Sequence, residues 1–165
     1  MPSITLRLAT SADAEQIRNI YNHEVMHTAA TFDLVPRSLA EQREWLATRS
    51  GAFATVVGVD DKGDVVGFGA LSPYKERAAY RTSVENSVYV RRDLQGKGIG
   101  RLLVDELISI AQRSGFHAVF ARINATSEAS IALHRRCAFE LVGIEREVGR
   151  KFGRWHDVAV MQRLL

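Results

Sequence analysis

The sequence predicts a single α/β domain over residues 1–165, built on a mixed sheet with helices on its faces. A chain of 165 residues with 46% hydrophobic residues has the usual size of one domain and enough apolar material for one core. Segments with the periods of strands and helices follow one another in the order β-α-α-β-β-β-α-β-α-β-β. In the middle of the chain, a strand, a glycine-rich turn, a helix and a second strand predict a right-handed crossover between parallel strands.

The first part of the chain predicts a strand, two helices and a hairpin. Apolar and polar residues alternate over Ile4–Leu8, as in a half-buried strand, and apolar residues then recur at helical spacing over Ile17–Val25. The capping-box sequence Ser38–Glu41 predicts a second helix over 38–48, with Trp45 and Leu46 on its buried side. The predicted hairpin consists of the strands Phe53–Val59 and Val65–Leu71 and the turn Asp60–Gly63.

The second part of the chain predicts strands that alternate with helices. Glycine at Ser114-Gly115 is suited to the end of the first of these helices, and Ser127 is a candidate N-cap for the second. The segment Gly149–Arg154 connects the last two strands. The predicted strands are Tyr80–Val90, Phe116–Ile123, Phe139–Val148 and His156–Leu164, and the predicted helices are Leu102–Ala111 and Glu128–Cys137.

The segment Gln95–Arg101, with glycines at positions 96, 98 and 100, joins a predicted strand to a predicted helix. Glycines let successive backbone N–H groups turn toward one point, and the helix N-terminus behind them adds its positive dipole end. The spacing differs from a Walker loop, because no Gly-Lys-Ser/Thr triplet closes it. From the spacing alone, the segment is either a pyrophosphate site or an ordinary strand-to-helix turn.

The charge and cysteine content argue against several classes of protein. The 22 Lys and Arg residues exceed the 19 Asp and Glu residues by only three and are scattered, which does not favour nucleic-acid binding. No leader opens the chain and no apolar run approaches the about 18 residues of a membrane span, so we expect a cytoplasmic protein without a membrane partner. The single Cys137 excludes an internal disulfide, and the histidines lack zinc-site spacing, so we expect no metal.

Five short blocks, together with the Gln95–Gly100 loop, occur in the order of a known enzyme family. The sequence resembles the GCN5-related N-acetyltransferases (GNAT), and more narrowly the phosphinothricin and methionine sulfone/sulfoximine acetyltransferases. The resemblance implies the GNAT fold with splayed central parallel strands, and acetyl-CoA as cosubstrate. It implies direct acetylation of the α-amino group of a small amino-acid analogue in a ternary complex, by a homodimer. The blocks are Ile20–Val25, Thr28–Asp33, Ser87–Val90, Ala129–His134 and Gly149–Asp157.

Glu85 and His134 are the predicted catalytic residues. An α-amino group is largely protonated near neutral pH, so a base within reach raises its reactive fraction. Strand alternation places Glu85 opposite Val84 and Val88, and the resemblance gives it the role of the base. His134 stands where the wider superfamily often has tyrosine, and an imidazole there could protonate the leaving thiolate or assist deprotonation. From the residues alone, a solvated carboxylate and a structural histidine remain open.

The resemblance also implies residues that bind the coenzyme and the acceptor. Ser127 stands where the family usually has asparagine, and Asn124 lies earlier in the same loop, so either is a candidate for the pantetheine arm. Arg77 offers a planar fork for a carboxylate or phosphinate, and Phe32 is either a pocket wall or part of the core. The implied coenzyme residues are Val88, Tyr89, Val90, Gln95, Gly96, Lys97, Gly98, Ile99, Gly100, Arg101, Asn124 and Ser127. The implied substrate residues are Phe32, Lys75, Glu76, Arg77, Glu85, Asn86 and Ser87.

Two other functions compete with this prediction. One is acetylation of a protein N-terminus or a polyamine, although Lys75 and Arg77 argue against the acidic pocket that a polyamine requires. The other is a coenzyme A-binding sensor without turnover, which the presence of both predicted catalytic residues argues against. For assembly, Phe152 and Trp155 stand in an otherwise polar connection, where they form either a symmetric dimer interface or part of their own core.

Overall fold

Seven strands and four α-helices form residues 3–165, the part of the chain that the computed structural model describes. They follow one another in the order that the sequence predicts. None of these helices is long and apolar enough to cross a bilayer. The strands are β1 (Thr5–Leu8), β2 (Val56–Val59), β3 (Val65–Pro73), β4 (Ser83–Val90), β5 (Ala118–Asn124), β6 (Glu140–Lys151) and β7 (Arg154–Leu164), and the helices are α1 (Ala14–His27), α2 (Leu39–Ala47), α3 (Ile99–Arg113) and α4 (Glu128–Arg136).

All seven strands belong to one sheet, in the order β1-β2-β3-β4-β5-β7-β6. Neighbouring strands are antiparallel except β4 and β5, which are parallel and joined by the α3 crossover. The predicted mixed, mostly antiparallel sheet is therefore confirmed. β4 and β5 pair only from Ser83 opposite Ala118 to Glu85 opposite Phe120, although β4 continues to Val90. The central strands separate after Glu85, as the sequence resemblance implies.

Each face of the sheet carries its own apolar core. On one face, Val84 and its neighbours pack under α3, where Leu103 is fully buried. On the other face, Phe68 packs with Tyr21 of α1, and Tyr89 lies against them. β4 contributes to both cores because its side chains alternate between the faces. Glu85 therefore points to the α1 side, opposite Val84 and Val88, as predicted.

The helix starts follow local signals in the sequence. Ser38 caps α2: its hydroxyl accepts the Glu41 N–H at 3.2 Å, and the Glu41 carboxylate accepts the Ser38 N–H at 2.7 Å. Trp45 and Leu46 pack against the second core, as predicted. The α3 helix begins at Ile99, earlier than the predicted Leu102, because Gly98 at its N-cap has a φ of 85° and lets the chain turn directly into the helix.

Other predicted boundaries also differ from the structure: the strand expected from Phe53 begins at Val56, because Gly51–Phe53 forms a 3-10 turn. The strand expected over Tyr80–Val90 begins at Ser83, because Ala78–Tyr80 forms a single 3-10 turn. The connection expected over 149–154 shrinks to Phe152 and Gly153, since β6 and β7 extend to within two residues of each other. The φ angles of Phe152 and Gly153 are 52° and 70°, as in the hairpin turn whose twist matches antiparallel strands. Ser127 stands at the N-cap of α4 but makes no side-chain capping bond.

Candidate active site

The gap between β4 and β5 leaves backbone groups of β4 without a strand partner on that side. The Arg91 N–H donates to Val66 O of β3 at 2.9 Å. Because alternate residues of an antiparallel strand face opposite ways, the N–H and C=O groups of Val88 and Val90 face the gap. The Gln95 side-chain amide approaches Val90 O there at 3.4 Å. An extended, amide-bearing molecule that enters the gap can therefore bond to β4 as a strand would.

The glycine-rich loop continues from β4 and arranges backbone N–H groups around the start of α3. Gly96 and Gly98 have φ angles of 75° and 85°, which residues with a Cβ rarely adopt. The Leu102 N–H bonds to Gly98 O at 3.2 Å as the first bond of the helix, so the N–H groups before it have no intrahelical partner. A Cβ at Gly100 would lie 3.0 Å from the Leu133 side chain, so this glycine lets α3 and α4 approach each other. Free N–H donors at the positive end of a helix fit a pyrophosphate.

The backbone groups of Tyr89 face β3 and not the gap, unlike those of Val88 and Val90. Tyr89 is opposite Phe68 of β3 in a hydrogen-bonding position of the ladder, so its backbone groups are used within the sheet. Its ring stacks on Phe68 at 5.3 Å and meets Tyr21 edge-on at 5.2 Å. Burial raises the pKa of the Tyr89 hydroxyl. The residue holds β4 to α1 and does not line the coenzyme side of the gap.

Glu85 lies at the last paired position of the two central strands. It stands opposite Phe120 of β5 and is half-buried. Nearby, Arg122 of β5 donates to the Glu145 carboxylate of β6 at 3.0 Å through Nε. Burial raises the pKa of the Glu85 carboxyl; the Arg122 charge opposes this rise and the Glu145 charge adds to it. A carboxylate with a raised pKa beside an open gap can accept a proton from a bound amine.

His134 of α4 and Asn86 of β4 are in direct contact on the α3 side of the sheet. Asn86 Nδ2 lies 3.1 Å from His134 Nε2, and His134 Nδ1 lies 2.8 Å from Ser130 O. Both side chains are buried, and this burial lowers the pKa of the imidazole. Asn86, a predicted substrate residue, is thus in contact with the second predicted catalytic residue. Glu85 and His134 therefore approach the gap from opposite faces of β4.

Three of the predicted acceptor residues, Lys75, Glu76 and Arg77, lie on the turn after β3. Lys75 Nζ lies over the Tyr74 ring at 5.0 Å, and this ring stacks on Phe120 at 4.1 Å. Phe120 is the β5 neighbour of Glu85, so the cation and the carboxylate share one apolar surface. Arg77 is exposed and makes no side-chain hydrogen bond or ion pair within residues 3–165. Like its exposed neighbour Glu76, it is free to meet a ligand but does not belong to a built pocket.

Phe32 belongs to a contact between the α1–α2 connection and the β6–β7 hairpin. Its ring covers the backbone of Gly149 so closely that a Cβ there would overlap it. It also lies 5.9 Å from the His156 ring, and the buried Lys151 ammonium donates to Thr31 O at 2.7 Å. Phe32 is 38% exposed, so one side of the ring packs and the other remains open. Phe32 is therefore packed on one side, as a core residue would be, and open on the other, as a pocket wall would be.

The two candidates for the pantetheine arm differ in the number of hydrogen bonds that their side chains make within the protein. Asn124 Oδ1 accepts from the N–H and the hydroxyl of Thr126 at 3.0 and 2.7 Å. Asn124 Nδ2 contacts His156 Nδ1 at 3.2 Å and Ala29 O at 3.4 Å, which leaves the buried amide fully engaged. Ser127 is half-buried, and its hydroxyl makes no hydrogen bond within the described residues. Ser127 is therefore the better placed of the two.

Sequence reasoning missed three partners of the site. It did not assign the Arg122–Glu145 ion pair near Glu85, the aromatic surface of Tyr74 and Phe120, or the contact of Asn86 with His134. The first joins β5 to β6 across β7, and the second joins the residue after β3 to β5 across β4, so both depend on the strand order of the whole sheet and not on a local pattern. The third joins residues separated by 48 positions across the strand–helix interface, and no local pattern carries that information.

A family model described as the acetyltransferase (GNAT) domain matches residues 6–160, which covers both central strands and the glycine loop. The chain belongs to the GNAT acetyltransferase family. It is 40% identical over 161 residues to the L-methionine sulfoximine/L-methionine sulfone acetyltransferase of Pseudomonas aeruginosa, covering 97% of this chain and 94% of that protein. This GNAT member is thus an N-acetyltransferase.

Two solved structures have the same fold. A GNAT superfamily phosphinothricin acetyltransferase from Sinorhizobium meliloti, in complex with acetyl-CoA, has a TM-score of 0.93 and 40% identity, over 98% of this chain and 88% of that chain. A ribosomal-protein-alanine N-acetyltransferase from Brucella melitensis has a TM-score of 0.94 and 40% identity, over 98% of this chain and 99% of that chain. Acetyl-CoA is accordingly the donor for this GNAT enzyme. Within residues 3–165, no cluster of three or more His, Cys, Asp or Glu side chains is arranged to hold a metal ion.

Proposed function

We propose that this enzyme acetylates the α-amino group of a small amino-acid analogue of the methionine sulfone, methionine sulfoximine or phosphinothricin type. The observation that carries the proposal is Glu85, a half-buried carboxylate with a raised pKa at the point where the central strands separate. Lys75 lies on the adjoining aromatic surface. A base and a cation on one surface suit a substrate that carries both an amine and an anionic group. The names of the relatives support the same substrate class.

Glu85 is the general base in this proposal. Its raised pKa brings it nearer to the pH at which an amine reacts, which is the condition for efficient proton transfer. The amine nitrogen gives one proton to Glu85, the nitrogen–carbon bond forms, and the carbon–sulfur bond breaks. The electron pair of the broken bond leaves with the sulfur, which takes up a proton. His134 is the second residue that we assign to the reaction centre.

The coenzyme side combines the strand gap with the glycine loop. In the proposal, the backbone groups of Val88 and Val90 bond the pantetheine arm, and the loop N–H groups hold the pyrophosphate. The Ser127 hydroxyl meets the arm in place of the engaged Asn124 amide, and Tyr89 takes no direct part. The residues proposed to hold the donor are Val88, Val90, Gln95, Gly96, Lys97, Gly98, Ile99, Gly100, Arg101 and Ser127.

The acceptor side is formed by the turn after β3 and the contact around Phe32. Lys75 and Arg77 supply positive charge for the carboxylate or the phosphinate, and the open side of the Phe32 ring supplies an apolar wall. The other predicted substrate residues are Glu76, Asn86 and Ser87. Glu76 is exposed, and Asn86 and Ser87 are consecutive residues of β4. This arrangement disfavours a polyamine, which has no anionic group to match the two cations.

The proposal is tested with a panel of acetyl acceptors, followed by release of the coenzyme thiol and by mass detection of the product. Methionine sulfone, methionine sulfoximine and phosphinothricin form the first arm. A peptide with an N-terminal alanine forms the second, because one of the similar structures carries the name of a ribosomal-protein-alanine enzyme, and spermidine forms the third. We expect acetylation in the first arm alone, at the α-nitrogen. Activity only on the peptide would contradict the proposed substrate class and favour a protein N-terminus as the acceptor. Acetyl-CoA binding without turnover on any acceptor would favour the coenzyme A-binding sensor.

We also propose that the enzyme is a homodimer whose two-fold interface includes β6. This strand is twelve residues long and lies at the edge of the sheet. A long edge strand that exposes apolar side chains pairs readily with other chains unless it is covered, and a closed two-fold contact covers it. This strand, the adjoining turn and the start of β7 expose six large apolar side chains, each 47–59% accessible: Leu141, Val142, Ile144, Val148, Phe152 and Trp155.

We propose the cytoplasm as the compartment. Cys137 is a free, buried thiol, and burial raises its pKa to about 11, so it stays protonated and unreactive near neutral pH. A chain whose only cysteine has no disulfide role fits a reducing compartment. Fractionation of the native cells, with detection of the protein in each fraction, tests the assignment; recovery from a secreted fraction would contradict it.

A further inference from the structure

The contact between Asn86 and His134 fixes where the imidazole carries its proton. Ser130 O can only accept a hydrogen bond, so His134 Nδ1 at 2.8 Å must carry a proton. Asn86 Nδ2 can only donate, so His134 Nε2 at 3.1 Å must be unprotonated. These two contacts together describe a neutral ring with its proton on Nδ1.

The opposite orientation of the Asn86 amide would require a charged ring. With Oδ1 toward Nε2, both ring nitrogens would have to carry protons, because Ser130 O still faces Nδ1. The ring is only 5% exposed, and the edge of Phe139 lies 5.0 Å from its centre, so the surroundings oppose a buried imidazolium. In the observed orientation, Asn86 Oδ1 is buried without a partner. The contact with His134 is thus the one hydrogen bond that satisfies this buried side chain.

Within residues 3–165, no charged side chain makes a hydrogen bond or an ion pair with the His134 ring. Arg135 and Arg136 of α4 are exposed, and Arg163 of β7 donates to Cys137 O at 2.8 Å. On α3, Arg101 and Asp105 pair with each other at 3.5 Å. None of these groups hydrogen-bonds to His134. Asn86 and the Ser130 carbonyl are therefore the polar groups that determine its protonation.

We propose that Asn86 is a positioning residue that keeps His134 neutral, with its proton on Nδ1, so that Nε2 acts as an acceptor and not as a proton donor. The state of the ring follows from the geometry alone. Its meaning for the reaction rests on the proposed acetyl transfer. Of the two roles that an imidazole could take there, the pair excludes proton donation from Nε2 and leaves assistance to deprotonation, in which the incoming proton takes the place of the Asn86 N–H at Nε2. The proton that the sulfur takes up then comes from water or from the proton that Glu85 has accepted.

The proposal is tested first by NMR on the full chain labelled with ¹⁵N-histidine. Long-range ¹H–¹⁵N spectra distinguish protonated from unprotonated ring nitrogens, and the His134→Gln spectrum identifies the His134 signals among those of the five histidines. We expect a protonated Nδ1 and an unprotonated Nε2 that do not change between pH 8.5 and 6. A proton on Nε2, or a titration midpoint near the reference value of about 6.5, would overturn the proposal.

Substitution of Asn86 then tests whether this residue determines the state of the ring. Asn86→Asp places an acceptor beside Nε2, so we expect a second ring proton and a titration midpoint raised by about 1–3 pH units. Asn86→Ala removes the donor, and the midpoint should move toward the reference value; it serves alone if the Asp variant does not fold. An unchanged midpoint in a folded variant would refute the role of Asn86. Asn124→Asp is the matched control, because Asn124 contacts His156 Nδ1 at 3.2 Å and should alter the signals of His156 only.

Kinetics separate a positioning role from a merely structural one. In the Asn86→Asp variant, kcat should fall near neutral pH and recover as the pH rises through the new midpoint of His134, with a smaller change in the KM for acetyl-CoA. A loss of kcat that is equal at all pH values would mean that Asn86 only supports the fold. The NMR experiment measures the protonation of His134 directly, so it tests the state of the ring even if the enzyme acetylates none of the proposed acceptors.

Discussion

Glu24 of α1 and Arg92, which follows β4, form an ion pair that ties the helix to the segment leading into the glycine loop. Both carboxylate oxygens take part: Oε1 accepts from Arg92 Nε and Oε2 from Arg92 Nη2, each at 2.9 Å. The Thr28 hydroxyl donates to Oε2 at 2.6 Å. The Glu24 side chain is only 5% exposed, so its charge depends on these partners. The pair holds the point at which β4 ends and the glycine-rich loop begins.

Arg92→Ala should therefore destabilise the protein by about 1–3 kcal/mol, because it removes both hydrogen bonds that the guanidinium donates to the buried Glu24 carboxylate. We also expect a higher KM for acetyl-CoA, since the loop is no longer anchored to α1. Urea denaturation and initial rates measure the two effects. Arg91→Ala is the matched control: Arg91 pairs with the exposed Asp93 at 2.8 Å, and such pairs contribute about 0–1 kcal/mol. Equal destabilisation by both variants would contradict the structural role of the pair.

Glu85→Gln should lower kcat/KM by about 10²–10⁴ at neutral pH, because the amide keeps the shape and removes the base. Activity should recover in part at higher pH, where the amine loses its proton unaided. A pH–rate profile measures this. A variant that follows the wild type from pH 6 to 9 would show that Glu85 is not the base.

The same substitution should stabilise the protein in a pH-dependent way. Burial raises the pKa of Glu85, so the folded state holds its proton more tightly than the unfolded state. Stability is then lost from the wild type as the pH rises through the raised pKa, and the glutamine variant does not share this loss. Melting temperatures should coincide at acidic pH and diverge in favour of the variant toward neutral pH. The opposite order at neutral pH would mean that the carboxylate makes a stabilising contact.

Gly98→Val should weaken acetyl-CoA binding by much more than its effect on folding would suggest. The backbone at Gly98 has a φ of 85°, so the new side chain strains the loop and also occupies the approach of the pyrophosphate. Isothermal titration with acetyl-CoA and thermal melts separate the two effects. Gly63→Val is the matched control, because Gly63 has the same φ of 85° in the open β2–β3 turn, remote from the gap. If both variants bind acetyl-CoA like the wild type, the pyrophosphate assignment fails.

Arg77→Ala should raise the KM for an anionic amino-acid acceptor, since a charged hydrogen bond of about 1.5–3 kcal/mol is lost, and leave acetyl-CoA affinity almost unchanged. The comparison between a free amino-acid analogue and its carboxamide measures the part due to charge. Arg81→Ala is the control, because Arg81 is exposed on the same segment, four residues further along. A uniform loss for anionic and neutral acceptors would show that Arg77 supports the turn instead.

Light scattering at micromolar concentration should report twice 18.4 kDa for the wild type. Phe152→Ala with Trp155→Ala should lower this mass, because both side chains are 57% exposed at the end of the apolar edge. Leu8→Ala, at the opposite edge of the sheet and 60% exposed, should leave it unchanged. A monomeric wild type would refute the dimer. A double variant that is still dimeric would show that the interface does not include the turn.

Most of the fold could be predicted because its signals are local. The capping box at Ser38, the glycine at 98 and the strand alternation around Val84 each act within a few residues, and each has the predicted structural effect. The β6–β7 connection is shorter than the predicted segment 149–154 because Phe152 adopts a positive φ, which its residue type does not indicate, and the long paired strands on either side stabilise this turn.

The side-chain contacts of the site were less predictable than its position. The carboxylate at 85 follows from strand alternation, whereas the partner of His134 depends on how α4 packs on β4, a contact between distant parts of the chain. Asn124 shows the same limit. Its amide looks available in the sequence, and only the fold shows that a turn and His156 already use it.

The early separation of β4 from β5 gives the sheet an edge in its interior. Edges at the rim of a sheet invite other chains, but this one is flanked by helices and admits only a slender molecule. The donor substrate can thus serve as a temporary, non-peptide strand that completes the ladder. Amide hydrogens of Val88 and Val90 should exchange rapidly with deuterium in the free enzyme and become protected when acetyl-CoA is bound, while that of Tyr89, bonded to β3, stays protected in both states.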